Sequence, residues 1–339
     1  MLDKSKLPDL IKALAKDHTV YGPVKGDDGV TLSALKEGST VCLDFSNTTM
    51  SSKELFFPQC EVMCTFADGQ VKDVPEPDGK MVVLGMRPCD ADAVAEFDHV
   101  FGDAATGFSD PYFLKRRENT VIIALACDNP CTTCFCTSVG SGPYSENGAD
   151  ILTFQDGSGL IFVSCTDKGE ALMKANESLF TGAAEANKKK MANALASSQK
   201  LAKVETGGLS DKLGKGFYMK AWDGMFDRCL GCGACTYVCP TCHCFDIVDE
   251  ADENGDGQRV RAWDACQFAL FTHHTSGHNP RPGKKERMRQ RLMHKFSYAV
   301  ENFKETFCVG CGRCVRSCPV NLDIREMIDT LQAWEEPGN

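Results

Sequence analysis

Two runs of cysteine constrain this chain more than any other feature. Cys229-Leu-Gly-Cys232-Gly-Ala-Cys235-Thr-Tyr-Val-Cys239-Pro240 and Cys308-Val-Gly-Cys311-Gly-Arg-Cys314-Val-Arg-Ser-Cys318-Pro319 repeat one spacing, C-x2-C-x2-C-x3-C-P. Two-residue spacers bring three thiolates onto one iron–sulfur cubane within a tight turn. The fourth cysteine, followed by proline, points away and ligates the other cluster. The spacing therefore assigns Cys229, Cys232, Cys235 and Cys318 to one [4Fe–4S] cluster, and Cys308, Cys311, Cys314 and Cys239 to a second. Gly231, Gly233, Gly310 and Gly312 let backbone amides approach the cluster sulfurs, where hydrogen bonds raise the potential. Zinc ribbons use C-x2-C pairs, two to a site, and do not match three cysteines plus Cys-Pro.

The 339 residues hold 20 cysteines, with 42% hydrophobic and 25% charged residues. That is the composition of a folded chain of about two domains, not of a disordered, collagenous or small disulfide-stapled one. The longest apolar runs, Met81–Met86 and Val121–Ala126, are strand-length, so no membrane span is expected. The opening Met1-Leu-Asp-Lys-Ser-Lys-Leu-Pro8 has no apolar leader core and no twin arginine. The expected localisation is cytoplasmic, where thiols stay reduced and serve metals or redox chemistry. A net charge of −10 argues against a general nucleic-acid binder.

Strand and helix patterns alternate up to about residue 216. Helical stretches are read at Asp9–Lys16, Asp92–Phe101, Lys168–Phe180 and Ala183–Val204, and buried strands at Lys80–Met86 and Thr120–Ala126. Ile151–Phe154 and Leu160–Val163 flank Asp156-Gly-Ser-Gly, a hairpin signal, and the glycine-rich 207–216 reads as a linker. The expected class is α+β: a mixed α/β domain over 1–206, then the linker. An α-helical, bacterial-type dicluster ferredoxin domain follows over 217–339, carrying a long insert from Pro240 to Phe307.

Nine cysteines precede the linker. Cys127-Asp-Asn-Pro-Cys131-Thr-Thr-Cys134-Phe-Cys136 directly follows one buried strand, and Cys89 follows the other. If those strands are neighbours, their C-terminal ends put Cys89 beside the 127–136 loop, the edge where α/β sheets place their sites. A third cluster is expected on Cys89, Cys127, Cys134 and Cys136, with Cys131 spare. A zinc site, or a redox dithiol at Cys131 and Cys134, is the alternative. Cys60 and Cys64 have the spacing of one helical turn, and Cys42 and Cys165 read as core residues.

The insert carries Cys242, His243, Cys244, Cys266 and a histidine string at His273, His274 and His278. Buried thiols and hydrogen-bonded histidines that pack the insert are expected, with a further metal site as the alternative. Asp252-Glu-Asn254-Gly-Asp256-Gly257 opens like an EF-hand loop, but its twelfth position is Trp263. A hairpin turn between Phe245–Val248 and Val260–Trp263 fits better. The basic stretch Arg281–Lys295 reads as a solvated helix or docking surface.

Further strings add to the two runs: Gly85-Met-Arg-Pro-Cys-Asp90, Asp110-Pro-Tyr-Phe-Leu-Lys-Arg-Arg-Glu-Asn119, Cys134-Phe-Cys136 through Gly140-Ser-Gly-Pro143, Cys239-Pro-Thr-Cys-His-Cys-Phe-Asp246, Ser276-Gly-His-Asn-Pro-Arg281 and His294-Lys-Phe296. With these, the chain over roughly 55–330 resembles the family of archaeal sulfhydrogenase beta subunits. That family also takes in the iron–sulfur electron-transfer component of anaerobic sulfite reductase. Related subunits accompany heterodisulfide-reductase-type complexes. The resemblance implies an electron-transfer subunit with three [4Fe–4S] clusters, working in an anaerobic oxidoreductase complex. Its implied partners are a flavin subunit that exchanges hydride with NAD(P)H and a terminal reductase or hydrogenase. No G-x-G-x-x-G follows a strand here, so the dinucleotide is expected on the partner. The competing reading is a reductase with its own substrate site, at an open cluster or at Cys242, Cys244 and Cys266.

Overall fold

In the computed structural model, residues 1–102, 107–182 and 185–335 are described. Ala183 and Ala184, which begin one expected helix, lie outside these residues, as do the last four residues of the expected C-terminal domain. The chain divides into two units, and both draw on separated stretches of sequence. The first comprises Met1–Ser52, Asp78–Lys203 and Cys308–Gly312, and the second Lys53–Pro77, Val204–Phe307 and the residues from Arg313 onward. This differs from a continuous division at residue 206. The stretch read as a linker contains the helix Leu209–Lys215, because Leu209 and Leu213 fall one turn apart and are both buried.

Among the described residues, seven strands form the sheet of the first unit, in the order Leu2–Asp3, Gly159–Ser164, Ile151–Asp156, Thr120–Leu125, Met81–Met86, Thr19–Gly26, Gly29–Ala34. The four strands from Ile151–Asp156 to Thr19–Gly26 run parallel, and antiparallel hairpin partners flank them. The two central strands are apolar on both faces, with Val82, Val83, Leu84, Ile122, Ile123 and Leu125 all buried, as parallel strands covered on both sides require. They pair directly, Met81 opposite Thr120. Helix Pro88–Phe101 starts at the end of the first of them, with proline in its first turn. Helix Pro111–Glu118 is capped by Asp110, whose carboxylate accepts from Phe113 N at 3.0 Å. Leu7, Leu10 and Leu14 of helix Leu7–Leu14 close the core against Val20, Val82 and Leu160. The expected hairpin is present, Ile151–Asp156 with Gly159–Ser164.

The second unit adds two further strands to the hairpin expected in the insert, so the α-helical description of the C-terminal domain holds only outside this sheet. Its four-stranded antiparallel sheet has the order Phe245–Ala251, Gly257–Trp263, Cys60–Ala67, Gln70–Asp73. Cys60 and Cys64 therefore lie on a strand. A register shift sets Cys60 opposite Ala262 and Cys64 opposite Arg259, so the two lie on opposite faces of it and not on one helical turn. The acidic stretch is the hairpin turn expected: the Asp252 carboxylate accepts from Asn254 N at 2.8 Å and Asp256 N at 3.0 Å. Cys42 and Cys165 are half-buried rather than core, their thiols donating to Asp44 O and Val163 O.

Candidate metal centres

In the second unit, Cys229, Cys232, Cys235 and Cys318 line one cavity. The loop before helix Ala234–Tyr237 carries Cys229 and Cys232, that helix itself carries Cys235, and the turn before helix Ile324–Ala333 carries Cys318. Leu230, Met288, Leu292, Ile324 and Met327 supply apolar walls, and Cys314 also reaches the cavity. Two backbone amides donate to these sulfurs, Gly231 N to Cys229 Sγ at 3.4 Å and Leu322 N to Cys318 Sγ at 3.2 Å. Gly231 and Gly233 take positive φ, 67° and 75°, so the chain can fold its amides toward the sulfurs.

Cys239 is buried in the same unit, beside three further groups. Lys295 Nζ donates to its sulfur at 3.3 Å, and also to Thr241 Oγ1 at 2.8 Å and Phe307 O at 2.7 Å. A hydrogen bond from Cys242 holds the Cys239 thiol well below its ordinary pKa, and Lys295 and Arg291 reinforce this against burial. Arg291 donates to Cys242 Sγ at 3.4 Å and to Cys235 O at 3.0 Å. Lys53 donates to Cys242 O at 3.0 Å and sits 3.7 Å over the Trp263 ring. Lys53, Arg291 and Lys295 are each only 4% exposed. The basic stretch therefore turns Arg287, Arg291 and Lys295 inward, and the expectation of a solvated helix is corrected. Their spacing of four residues, one helical face across Lys284–Met293 and the π-helical turn His294–Tyr298, was the signal to read.

Of the other three cysteines in the second run, Cys308 and Cys311 belong to the first unit and Cys314 to the second. In the first unit, Cys89, Cys127, Cys134 and Cys136 line one cavity, and Cys311 reaches it too. Cys131 does not line this cavity, but packs behind Cys134 and Cys136. The neighbouring central strands explain the convergence, since Cys89 and Cys127 leave their adjacent C-terminal ends. Phe135 N donates to Gly310 O at 2.8 Å, and Cys134 Sγ to Cys311 O at 3.4 Å. Arg87 is buried at the cavity wall. It donates to Leu125 O and Phe45 O and stacks on the Phe45 ring, 3.8 Å from its centroid. Its Nε finds no partner among the described residues.

Both cavities suit an iron–sulfur cluster by the chemistry of their walls. Each offers at least four thiols, apolar packing and donors aimed at it: backbone amides on the ligand sulfurs in one, the orphaned Arg87 Nε in the other. A cubane's anionic sulfides would accept from such donors. Among the described residues, no three His, Cys, Asp or Glu side chains are arranged to hold a single metal ion.

Residues 228–322 match the family described as a 4Fe-4S dicluster domain. Over these residues the chain is similar to dicluster iron–sulfur domains. The match contains both cysteine runs and the insert between them, so all four cysteines of the second-unit cavity fall within it. Beyond that domain, the chain is 29% identical over 337 residues to sulfhydrogenase 2 subunit beta of Pyrococcus furiosus. That likeness covers 98% of this chain and 97% of the relative. No solved structure matches the chain. No helix among the described residues is long and apolar enough to cross a membrane.

Proposed function

We propose that this chain is a cytoplasmic electron-transfer subunit of an anaerobic oxidoreductase complex. It relays single electrons between a flavin subunit that exchanges hydride with NAD(P)H and a terminal reductase or hydrogenase. The observation that carries this reading is the meeting of Cys229, Cys232 and Cys235 with Cys318, from the far run, around one apolar cavity. The relative's name, a sulfhydrogenase beta subunit, supports a place within a larger assembly.

Cys229, Cys232, Cys235 and Cys318 hold one cluster, and Cys308, Cys311, Cys314 and Cys239 a second. Cys89, Cys127, Cys134 and Cys136 hold a third. The clusters supply one-electron redox chemistry, and the chain does the rest. Gly231 N and Leu322 N stabilise negative charge on the ligand sulfurs, and Lys295 and Arg291 do the same at Cys239 and Cys242. Leu230, Met288, Leu292 and Met327 keep water from one cavity. In the first unit, the contact of Cys134 with the Cys311 carbonyl gives electrons a short path between the third site and the second run.

Anaerobically purified protein should contain about 12 iron atoms per chain. Cys89→Ser and Cys134→Ser should each remove about four of them while leaving the dicluster iron in place. A wild-type content near eight, unchanged by either substitution, would mean that the first-unit cavity holds no cluster.

A further inference from the structure

The insert holds thiols that the relay does not use. Cys242, Cys244 and Cys266 line a single cavity with His243, His294 and Lys295. The sheet builds it. Cys244 directly precedes strand Phe245–Ala251, Cys266 follows strand Gly257–Trp263, and the pairing of Phe245 with Trp263 continues as Asp264 N donates to Cys244 O at 3.0 Å. The facing Cys266 thiol pulls Cys244 below its ordinary pKa, and Cys244 together with burial pushes Cys266 well above its own. Gln267 Nε2 donates to Cys266 Sγ at 3.4 Å. At the other end of the cavity, the Cys242 thiol faces Cys239, a ligand of the second run's cluster, and lowers its pKa.

We propose that Cys244 and Cys266 form a redox-active dithiol that exchanges electron pairs with the neighbouring clusters. This rests on the relay reading above. In the reducing direction, the Cys244–Cys266 disulfide takes two electrons, one from each of two reduced clusters, and two protons. The S–S bond breaks and two S–H bonds form; oxidation is the reverse. The path runs from Cys239 through Cys242 to Cys244, two residues on in the same cavity.

The geometry distinguishes this from packing and from a metal site. Two thiols that line one narrow cavity, each carried just beyond the end of a paired strand, are placed to join across it. Burial pushes His243 down to about 3 and His294 to about 4, so both rings are neutral at neutral pH. The neighbouring Cys266 thiol, with Lys295 adding a smaller pull, favours the thiolate at Cys244, the attacking form in thiol–disulfide chemistry. No third His, Cys, Asp or Glu among the described residues joins the pair to hold one ion.

The test uses the full-length, cluster-loaded chain under argon, equilibrated in glutathione buffers of graded potential, then acid-quenched, alkylated and mapped by mass spectrometry. Peptides joined through Cys244 and Cys266 should appear at oxidising potentials and disappear when the clusters are photochemically reduced. Cys244→Ser and Cys266→Ser should each abolish the joined peptide and leave iron content at the wild-type value. The wild-type mapping stands alone should either variant fold poorly. Loss of about four iron atoms in either variant, or both thiols staying alkylatable at every potential, would overturn the proposal. A disulfide that persists after cluster reduction would overturn its coupling to the clusters. Clusters that accept no electrons, while the pair still titrates with glutathione, would overturn the relay and leave the dithiol standing.

Discussion

Gly310→Ala should cost about 3 kcal/mol or more and strip iron from the first unit. Gly310 lies at φ 61°, where a side chain costs about 1 kcal/mol or somewhat more. The larger part is contact. A Cβ at this position would fall 2.5 Å from Cys136 N and 2.6 Å from Cys136 Cα and the Phe135 carbonyl carbon. All three are backbone atoms and cannot rotate away, so the 308–312 segment must lift off the 134–136 loop. The Phe135 N to Gly310 O hydrogen bond and the Cys134 contact with Cys311 would go with it. Gly140→Ala is the internal comparison. It shares a positive φ, 84°, but its Cβ would meet nothing within 4 Å. Denaturant midpoints and iron content should therefore separate the two variants clearly. Equal destabilisation would mean that the close approach at Gly310 contributes nothing.

Lys295→Met should lower the midpoint potential of the cluster served by Cys239 by on the order of 100 mV. A unit charge several ångströms from a cluster, at an effective dielectric near 20, interacts by about 3 kcal/mol, which is roughly 120 mV for one electron. Reduction adds negative charge, so losing the ammonium 3.3 Å from Cys239 Sγ makes the electron harder to accept. The potential falls. Methionine keeps the length of the side chain, and Thr241 Oγ1 still donates to Phe307 O at 2.8 Å, so that carbonyl keeps a partner. Potentiometric titration of the variant checks the sign, and an unchanged or higher potential would show that Lys295 does not face the cluster charge.

Much of this arrangement was legible in the chain itself. The spacing of Cys229, Cys232 and Cys235 with a distant Cys-Pro foretold a shared cavity for these three and Cys318, because short spacers leave few ways to aim thiols. The convergence of Cys89 with Cys127–Cys136 followed from two continuous apolar strands, since such strands pair in parallel at the centre of a sheet. What stayed hidden depends on pairings between remote stretches. Nothing in Cys60–Ala67 alone announces that it will pair with Gly257–Trp263, because edge preference and register are set by the whole sheet. Lys53 reads as an ordinary polar residue until that pairing puts it over Trp263. The inward face of Arg287, Arg291 and Lys295 was readable from its four-residue spacing. It was masked by the alternating arginines around it, a pattern that equally describes a solvated helix.

The relay itself is tested most directly by an EPR-monitored redox titration of the purified full-length chain, prepared without oxygen. Three one-electron [4Fe–4S] centres are expected, integrating on full reduction to about three spins per chain. Cys134→Ser should remove one of them and Cys318→Ser another. A chain that binds iron yet yields no reducible centre, or that takes up zinc in place of iron at the two cysteine runs, would contradict it.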